Sequence, residues 1–261
     1  VADKLAIVTG ASTGIGFELA TLAAQQGYDL IVVADEALID AAARDFGQFG
    51  TQVQSVQVDL ATIDGVDALL AAAGGRQIDL LCANAGTATG GAFLDIEVAK
   101  WRHSVDTNVT GTVYLLQKVL AAMVARNDGK ILVTGSIAGY VPGSFNAIYN
   151  ATKAFIDNFT EALRNEIKDV DGVTLTTLMP GPTDTEFFAR ADMLDTSVGQ
   201  DEHKADPAKV AKDGFDALFA GKGHVVSGLS NKIQVLGSGV VPQSVLAEAH
   251  RKMAEPGSGE E

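Results

Sequence analysis

Short runs of consecutive apolar residues, many of them β-branched, alternate along most of the chain with longer Ala- and Leu-rich stretches of helical period. The apolar runs at 5–9, 30–34, 53–58, 80–83, 131–134, 173–179 and 224–227 predict seven strands. Several are apolar at successive positions, the pattern of strands covered on both faces. The stretches near 14–26, 37–48, 63–73, 97–126, 146–169 and 207–220 predict helices. Strand–helix–strand units of this length demand crossover connections, and therefore a largely parallel sheet. The expected fold is α/β, a doubly wound parallel seven-stranded sheet with helices on both faces. No fixed-period repeat or Pro/Ser/Gly linker divides the chain, so residues 1–255 are expected to form a single domain. Residues 182–206 lack a clear strand or long helix yet carry Phe187, Phe188, Met193 and Leu194, as a substrate loop or lid would. The Gly/Ser/Glu-rich residues 256–261 are expected to be a disordered tail.

Composition narrows the partners. The 261 residues are 47% hydrophobic and 20% charged, a globular balance that excludes disordered and collagen-like chains. Nineteen basic against 33 acidic residues give a formal charge of −14. That field repels phosphate backbones and anionic lipid, so neither nucleic acid nor membrane is expected as a partner. A local anion site built from backbone N–H groups remains compatible with it. Cys82, the single cysteine, lies in an apolar run and reads as a core residue in a reducing compartment. His103, His203, His224 and His250 show no ligand spacing, so no metal is expected. No apolar stretch reaches the about 18 residues of a membrane span. The opening Val1-Ala2-Asp3-Lys4 lacks the regions of a signal peptide, and the expected compartment is cytoplasmic.

The first predicted strand ends in Thr9-Gly10-Ala11-Ser12-Thr13-Gly14-Ile15-Gly16 and runs directly into a predicted helix. Glycines let the backbone turn sharply and approach a ligand closely. The helix then aims unpaired N–H groups and its positive dipole end at the gap, which favours a pyrophosphate. Asp35 follows the second strand, 19 residues after Gly16, near the ~20 expected of the carboxylate that holds an adenosine ribose. As an alternative, Asp35 caps the following helix. No Arg or Lys stands at Thr13, Asp35 or Glu36 to balance a 2′-phosphate, so NAD is favoured over NADP.

Tyr149 and Lys153 stand four apart in a predicted helix, one turn apart on one face. Such a pair is most often a solvated face; a phenol beside an ammonium can also serve as an acid/base, because the cation stabilises the phenolate. Ser136 follows the fifth strand, and Asn84-Ala85-Gly86 follows the fourth. Ligands of open parallel sheets sit beyond the carboxyl ends of the strands, so these groups should share one crevice with the glycine loop and Asp35.

In this order the motifs resemble the short-chain dehydrogenase/reductase family of Rossmann-fold oxidoreductases. The resemblance is carried by the glycine loop, Asp59-Leu60, Asn84-Ala85-Gly86, Asn108, Ser136, Tyr149-x3-Lys153 and Pro180-Gly181-Pro182-Thr183. It implies Tyr149 as general acid/base, Ser136 as its hydrogen-bonding companion, and Lys153 as the group that lowers the phenol pKa and holds the nicotinamide ribose. Asn108 would support a water in the proton relay. Asp59 and Leu60 would meet the adenine end, or Asp59 would merely close a strand-end turn. Asn84, Ala85 and Gly86 would pass beside the cofactor. Thr183 would approach the nicotinamide carboxamide, with Pro180, Gly181 and Thr185 completing the cofactor set.

The implied function is hydride transfer between NAD and a secondary alcohol or ketone, or an aldehyde. An NADP-dependent carbonyl reductase and a non-catalytic NAD-sensing protein are the alternatives. Residues 87–91, Ile137, Tyr140, Phe145, Phe187 and Phe188 are candidates for the substrate side, with Arg190 as a possible charge. Apolar residues on the helices at 97–126 and 146–169 exceed what one sheet face needs, and a homodimer or homotetramer is expected.

Overall fold

The computed structural model describes residues 4–260; Val1, Ala2, Asp3 and Glu261 lie outside the described residues, and with them most of the opening and the last residue of the tail. Seven parallel strands form one sheet in the order β3-β2-β1-β4-β5-β6-β7. They are β1 (Leu5–Thr9), β2 (Asp29–Ala34), β3 (Val53–Gln57), β4 (Leu80–Ala83), β5 (Gly129–Thr134), β6 (Val173–Met179) and β7 (His224–Val226). The winding direction reverses between β1 and β4, which opens a crevice above their carboxyl ends.

Successive residues of β1 serve opposite layers. Ala6 and Val8 pack with Leu19, Ala23, Phe46, Val210 and Phe215 of α1 (Gly14–Gln25), α2 (Leu38–Gly47) and, later in the chain, the helix at Pro207–Phe219. Leu5 and Ile7 pack with Val66, Leu69, Leu116, Met123 and Ile156 on the other face. Those residues come from α3 (Ile63–Ala72), from a second helix ending at Arg126, and from a third at Ala147–Glu166. Two-sided burial explains why the central strands β1 and β4 are apolar at nearly every position, each fully covered Leu or Ile being worth about 1.5–3 kcal/mol. Cys82 is fully buried in the first layer.

The helix expected over 97–126 is one helical run with a change of winding. It comprises α4 (Val98–Val105), a π-helical turn at Asp106–Gly111, and α5 (Thr112–Arg126). Gly111 lies so close to the Leu60 carbonyl that a Cβ there would collide with it. Next come α6 (Ala147–Glu166), two single-turn helices α7 (Phe187–Arg190) and α8 (Ser197–Gln200), and α9 (Pro207–Phe219). Asp206 caps α9 by accepting from Ala208 N at 2.9 Å, with Pro207 in the first turn.

Two further helices, α10 (Leu229–Ser238) and α11 (Gln243–Ala254), were not expected. The apolar positions of α10 face outward: Leu229, Ile233 and Leu236 are all well exposed. The short α11 is held by tertiary bonds, with His250 Nδ1 donating to Ser144 O at 2.9 Å and Ser144 Oγ donating to Ala247 O. Residues 256–260, expected to be disordered, instead form a turn and a 3₁₀ turn. Gly257 N donates to Asp195 Oδ2 and Ser197 N donates to Ser258 Oγ. Backbone pairing with the loop supplies what the tail's own composition lacks. No helix of the described residues is long and apolar enough to cross a membrane.

Candidate active site

The loop between β1 and α1 is shaped by backbone conformations that glycine tolerates, φ +65° at Gly10 and +59° at Gly14. A Cβ on Gly16 would collide with Gly10 O, so glycine there lets helix and strand close on each other. Thr13 precedes α1 without a side-chain cap, which leaves the first N–H groups pointing into the crevice. Thr9 and Gly16 stand behind this surface. Gly10, Ser12, Thr13, Gly14 and Ile15 line it.

Asn84 ties three strand ends together. Its Nδ2 donates to Thr9 O at 3.2 Å, its Oδ1 accepts from Thr134 Oγ1 at 2.9 Å, and its N–H donates to Thr9 Oγ1. This stitching makes Thr9 and Asn84 organisers of the crevice floor. Asp35, Asp59, Leu60, Ala85 and Gly86 also line the crevice. Asp59 does close a strand-end turn, accepting from Ala61 N at 2.8 Å, while its other oxygen lies 3.8 Å from His103 Nδ1.

Around Gly86 the side chains of Asn108 and Lys153 converge. A Cβ there would stand 3.3 Å from Asn108 Oδ1 and 3.4 Å from Lys153 Nζ. Asn108 sits in the π turn, buried, and both of its amide hydrogens are engaged, one by Thr87 O and one by Thr152 Oγ1. Lys153 Nζ donates to Thr134 O at 2.8 Å and lies 5.7 Å from the centre of the Tyr149 ring. Ser136 Oγ accepts from Ala138 N, donates to Pro180 O at 3.4 Å, and neighbours the phenol.

A model of the short chain dehydrogenase family matches residues 4–193. The chain belongs to the short-chain dehydrogenase/reductase family. An uncharacterized oxidoreductase of Staphylococcus epidermidis is 32% identical over 195 residues, covering 74% of this chain and 83% of that protein. A short-chain dehydrogenase from Sphingobium yanoikuyae, solved with NADPH, is 26% identical with a TM-score of 0.81, covering 90% of this chain and 93% of that one. A family member from Burkholderia phymatum, solved with NAD, shares the fold at 23% identity and TM-score 0.81, covering 89% and 92%.

Two expectations for this dehydrogenase/reductase need correction. Lys153 was expected to pull the phenol of Tyr149 down, yet that phenol is pushed up to about 12. Burial penalises the phenolate, the negative Asp157 adds to the rise, and the Ser136 hydroxyl opposes both. Lys153 spends its hydrogen bond on Thr134 O and is itself pushed down by burial. Second, the Asp35–Glu36 end of the crevice does have a guanidinium. Arg190 of α7 reaches back to Glu36 Oε1 at 2.8 Å and to Thr13 Oγ1 at 3.4 Å.

A second cavity, about 490 Å³, adjoins the crevice and shares Ser136, Gly181, Tyr149, Phe187 and Phe188 with it. Ile137 lines it as expected, whereas Tyr140 and Phe145 do not. Its far wall comes from Met193, Gln234, His250, Met253 and Ser258, which the sequence gave no reason to group. Phe187 packs against Tyr149 with the rings tilted by 57° and their centres 5.0 Å apart, and Thr185 covers Gly14. Thr183, which lines the first cavity, donates from Oγ1 to Gly181 O at 2.9 Å.

Proposed function

We propose that this protein interconverts a secondary alcohol and a ketone, or an aldehyde and its alcohol, with Tyr149 as the acid/base. What carries this reading is the placement of Ser136 and Tyr149 on the shared wall of the two cavities. The first cavity has the chemistry of a dinucleotide site: a side-chain-free glycine cradle, uncapped N–H groups and Asp35 at the end of β2. When bound there, a nicotinamide dinucleotide supplies or accepts the hydride. Asp35 would hold the adenosine ribose, Asp59 and Leu60 the adenine end, and Thr183 the carboxamide end. Lys153 would hold the second ribose.

Tyr149 gives its proton to a carbonyl oxygen in reduction and takes one from a hydroxyl in oxidation, and Ser136 hydrogen-bonds the same oxygen. Phe187 over the phenol ring excludes water from that exchange. Asn108 acts by fixing the 87–91 segment and α6 around Lys153.

The second cavity suits an uncharged, bulky substrate. Ile137, Phe187, Phe188, Met193 and Met253 supply apolar contact, and among the described residues neither Lys nor Arg lines it, while the carboxylate of Asp201 does. A carboxylate or phosphate ester would find no partner there. NAD is the favoured cofactor on account of Asp35; the Arg190 guanidinium supports NADP as the second reading. The test follows reduced-nicotinamide absorbance with both cofactors over a panel of small, bulky and anionic alcohols and ketones. Turnover of bulky neutral substrates is expected. Tight cofactor binding without turnover across the panel would favour the sensing role instead.

A further inference from the structure

Tyr149, Lys153 and Asp157 follow one another at four-residue steps along α6 and share one face of it. Tyr149 and Lys153 have parts in the proposed proton transfer, whereas Asp157 has none. Its carboxylate is wedged under the turn that carries Ser136. A Cβ on Gly135 would collide with Oδ1, and one on Gly139 would stand 2.6 Å from Oδ2. Both oxygens are shut off from solvent, and the backbone N–H of Ser136, turned towards them without a well-formed hydrogen bond, is the one neutral donor that favours the carboxylate. A carboxylate so placed persists only beside a positive charge. One turn earlier on the same face of α6 lies the buried Lys153, the cation that acts on this carboxylate through space and not through a direct ion pair.

We propose that Asp157 is a positioning residue for proton transfer, acting through Lys153 as the fixed counter-charge that keeps the ammonium charged and seated at the end of β5. This rests on the acid/base reading of Tyr149 given above. The electrostatics agree in sign. Burial pushes the Lys153 ammonium down and Asp157 pulls it back up; burial pushes Asp157 up and Lys153 pulls it down. The same carboxylate raises Tyr149, and it raises Tyr140 on the turn packed against α6. From β6 the neighbour is the uncharged Thr177. Lys100, Arg102, His103 and Asp106, on α4 and the π turn, do not contribute to the shift at Asp157.

Asp157→Asn keeps the shape and removes the charge. Without it, Tyr149 and Lys153 both release their protons more easily. Both limbs of the bell-shaped kcat/KM profile for alcohol oxidation, which belong to the coupled pair, should then move to lower pH by about one unit. Asp157→Glu should restore part of the shift. Carboxyl NMR of aspartate-labelled protein without cofactor gives a second reading. Wild type should show one carboxyl titrating above the ordinary Asp range, absent in Asp157→Asn and higher still in Lys153→Met. An inactive Tyr149→Phe with an unshifted Asp157→Asn profile, or a wild type lacking that carboxyl, overturns the role of Asp157. An active Tyr149→Phe overturns the reading beneath it.

Discussion

Arg190 Nη2 lies 2.8 Å from Glu36 Oε1, joining α7 to the residue after Asp35 across 154 positions of sequence. Ser12 Oγ donates to the same carboxylate oxygen at 2.6 Å. Both partners are partly exposed, so the pair adds less than about 1 kcal/mol to stability. Its consequence is electrostatic, because it puts a cation beside Asp35 on the crevice wall, where the proposed dinucleotide reading expects the adenosine ribose.

Asp35 and Glu36 repel a 2′-phosphate there and Arg190 offsets part of the repulsion. NAD should therefore be preferred by roughly tenfold in kcat/KM, about 1.4 kcal/mol. Arg190→Ala should widen the preference by weakening NADP, with little change for NAD. Glu36→Gln, which frees the guanidinium, should narrow it. Steady-state kinetics with both cofactors on one alcohol decide the matter, and a wild-type preference for NADP refutes the role given to Asp35.

Replacing Tyr149 with Phe keeps the ring packed against Phe187 and removes the proposed proton carrier. Turnover should fall by about 10²–10⁴-fold while cofactor affinity, read by fluorescence titration, stays near wild type. Lys153→Ala should lower both. Retention of more than about a tenth of the activity in Tyr149→Phe is incompatible with general acid/base catalysis by this residue.

His250 links pH to the C-terminal wall of the second cavity. Burial lowers its pKa below the ordinary 6.5, against the pull of the Ser144 carbonyl. Above the unfolded value both states are neutral and the full stability is present. As pH falls below it, the unfolded chain takes up the proton first, so stability is lost toward acid. Thermal melts across this window should show a falling Tm, with a shallower slope in His250→Gln. Equal slopes would remove the linkage.

The loop after β6 is already tied down by Arg190, by Thr185 over Gly14 and by Asp184 N donating to Ala205 O at 2.9 Å. Cofactor and substrate should tighten it further. Amide exchange across 184–200 should slow on forming the ternary complex, more than in α9. No change there would mean that the loop is a fixed wall.

Phe155 on α6 is 44% exposed and stacks on Phe159 at 5.6 Å, an outward apolar face, and Val98 of the neighbouring α4 is exposed as well. A two-fold pairing of α4–α6 would cover it. Light scattering should give a dimer or tetramer, and Phe155→Glu should shift it toward the 27.0 kDa chain. A wild-type monomer at micromolar concentration would contradict the pairing.

Local chemistry made much of this protein readable in one dimension. Strand periodicity, the glycine positions where φ is positive, and the one-turn step from Tyr149 to Lys153 are set by residues within a few positions of each other. The strands, and the shared crevice of the glycine loop, Asp35, Asn84–Gly86 and Ser136, followed from them, because a parallel sheet carries its strand ends to one edge; Asp59, Leu60 and the residues from Pro180 to Thr185 entered only through the family resemblance. What packing alone decided has no local signal. The Arg190–Glu36 pair joins residues far apart in sequence, and Asp157 becomes a buried counter-charge only because glycines of another segment close over it. The same holds for α11, which His250 and Ser144 fasten over the second cavity. The phenol's shift depends most on tertiary structure: Tyr149 is four residues from a cation in sequence, yet desolvation by the surrounding fold outweighs that proximity.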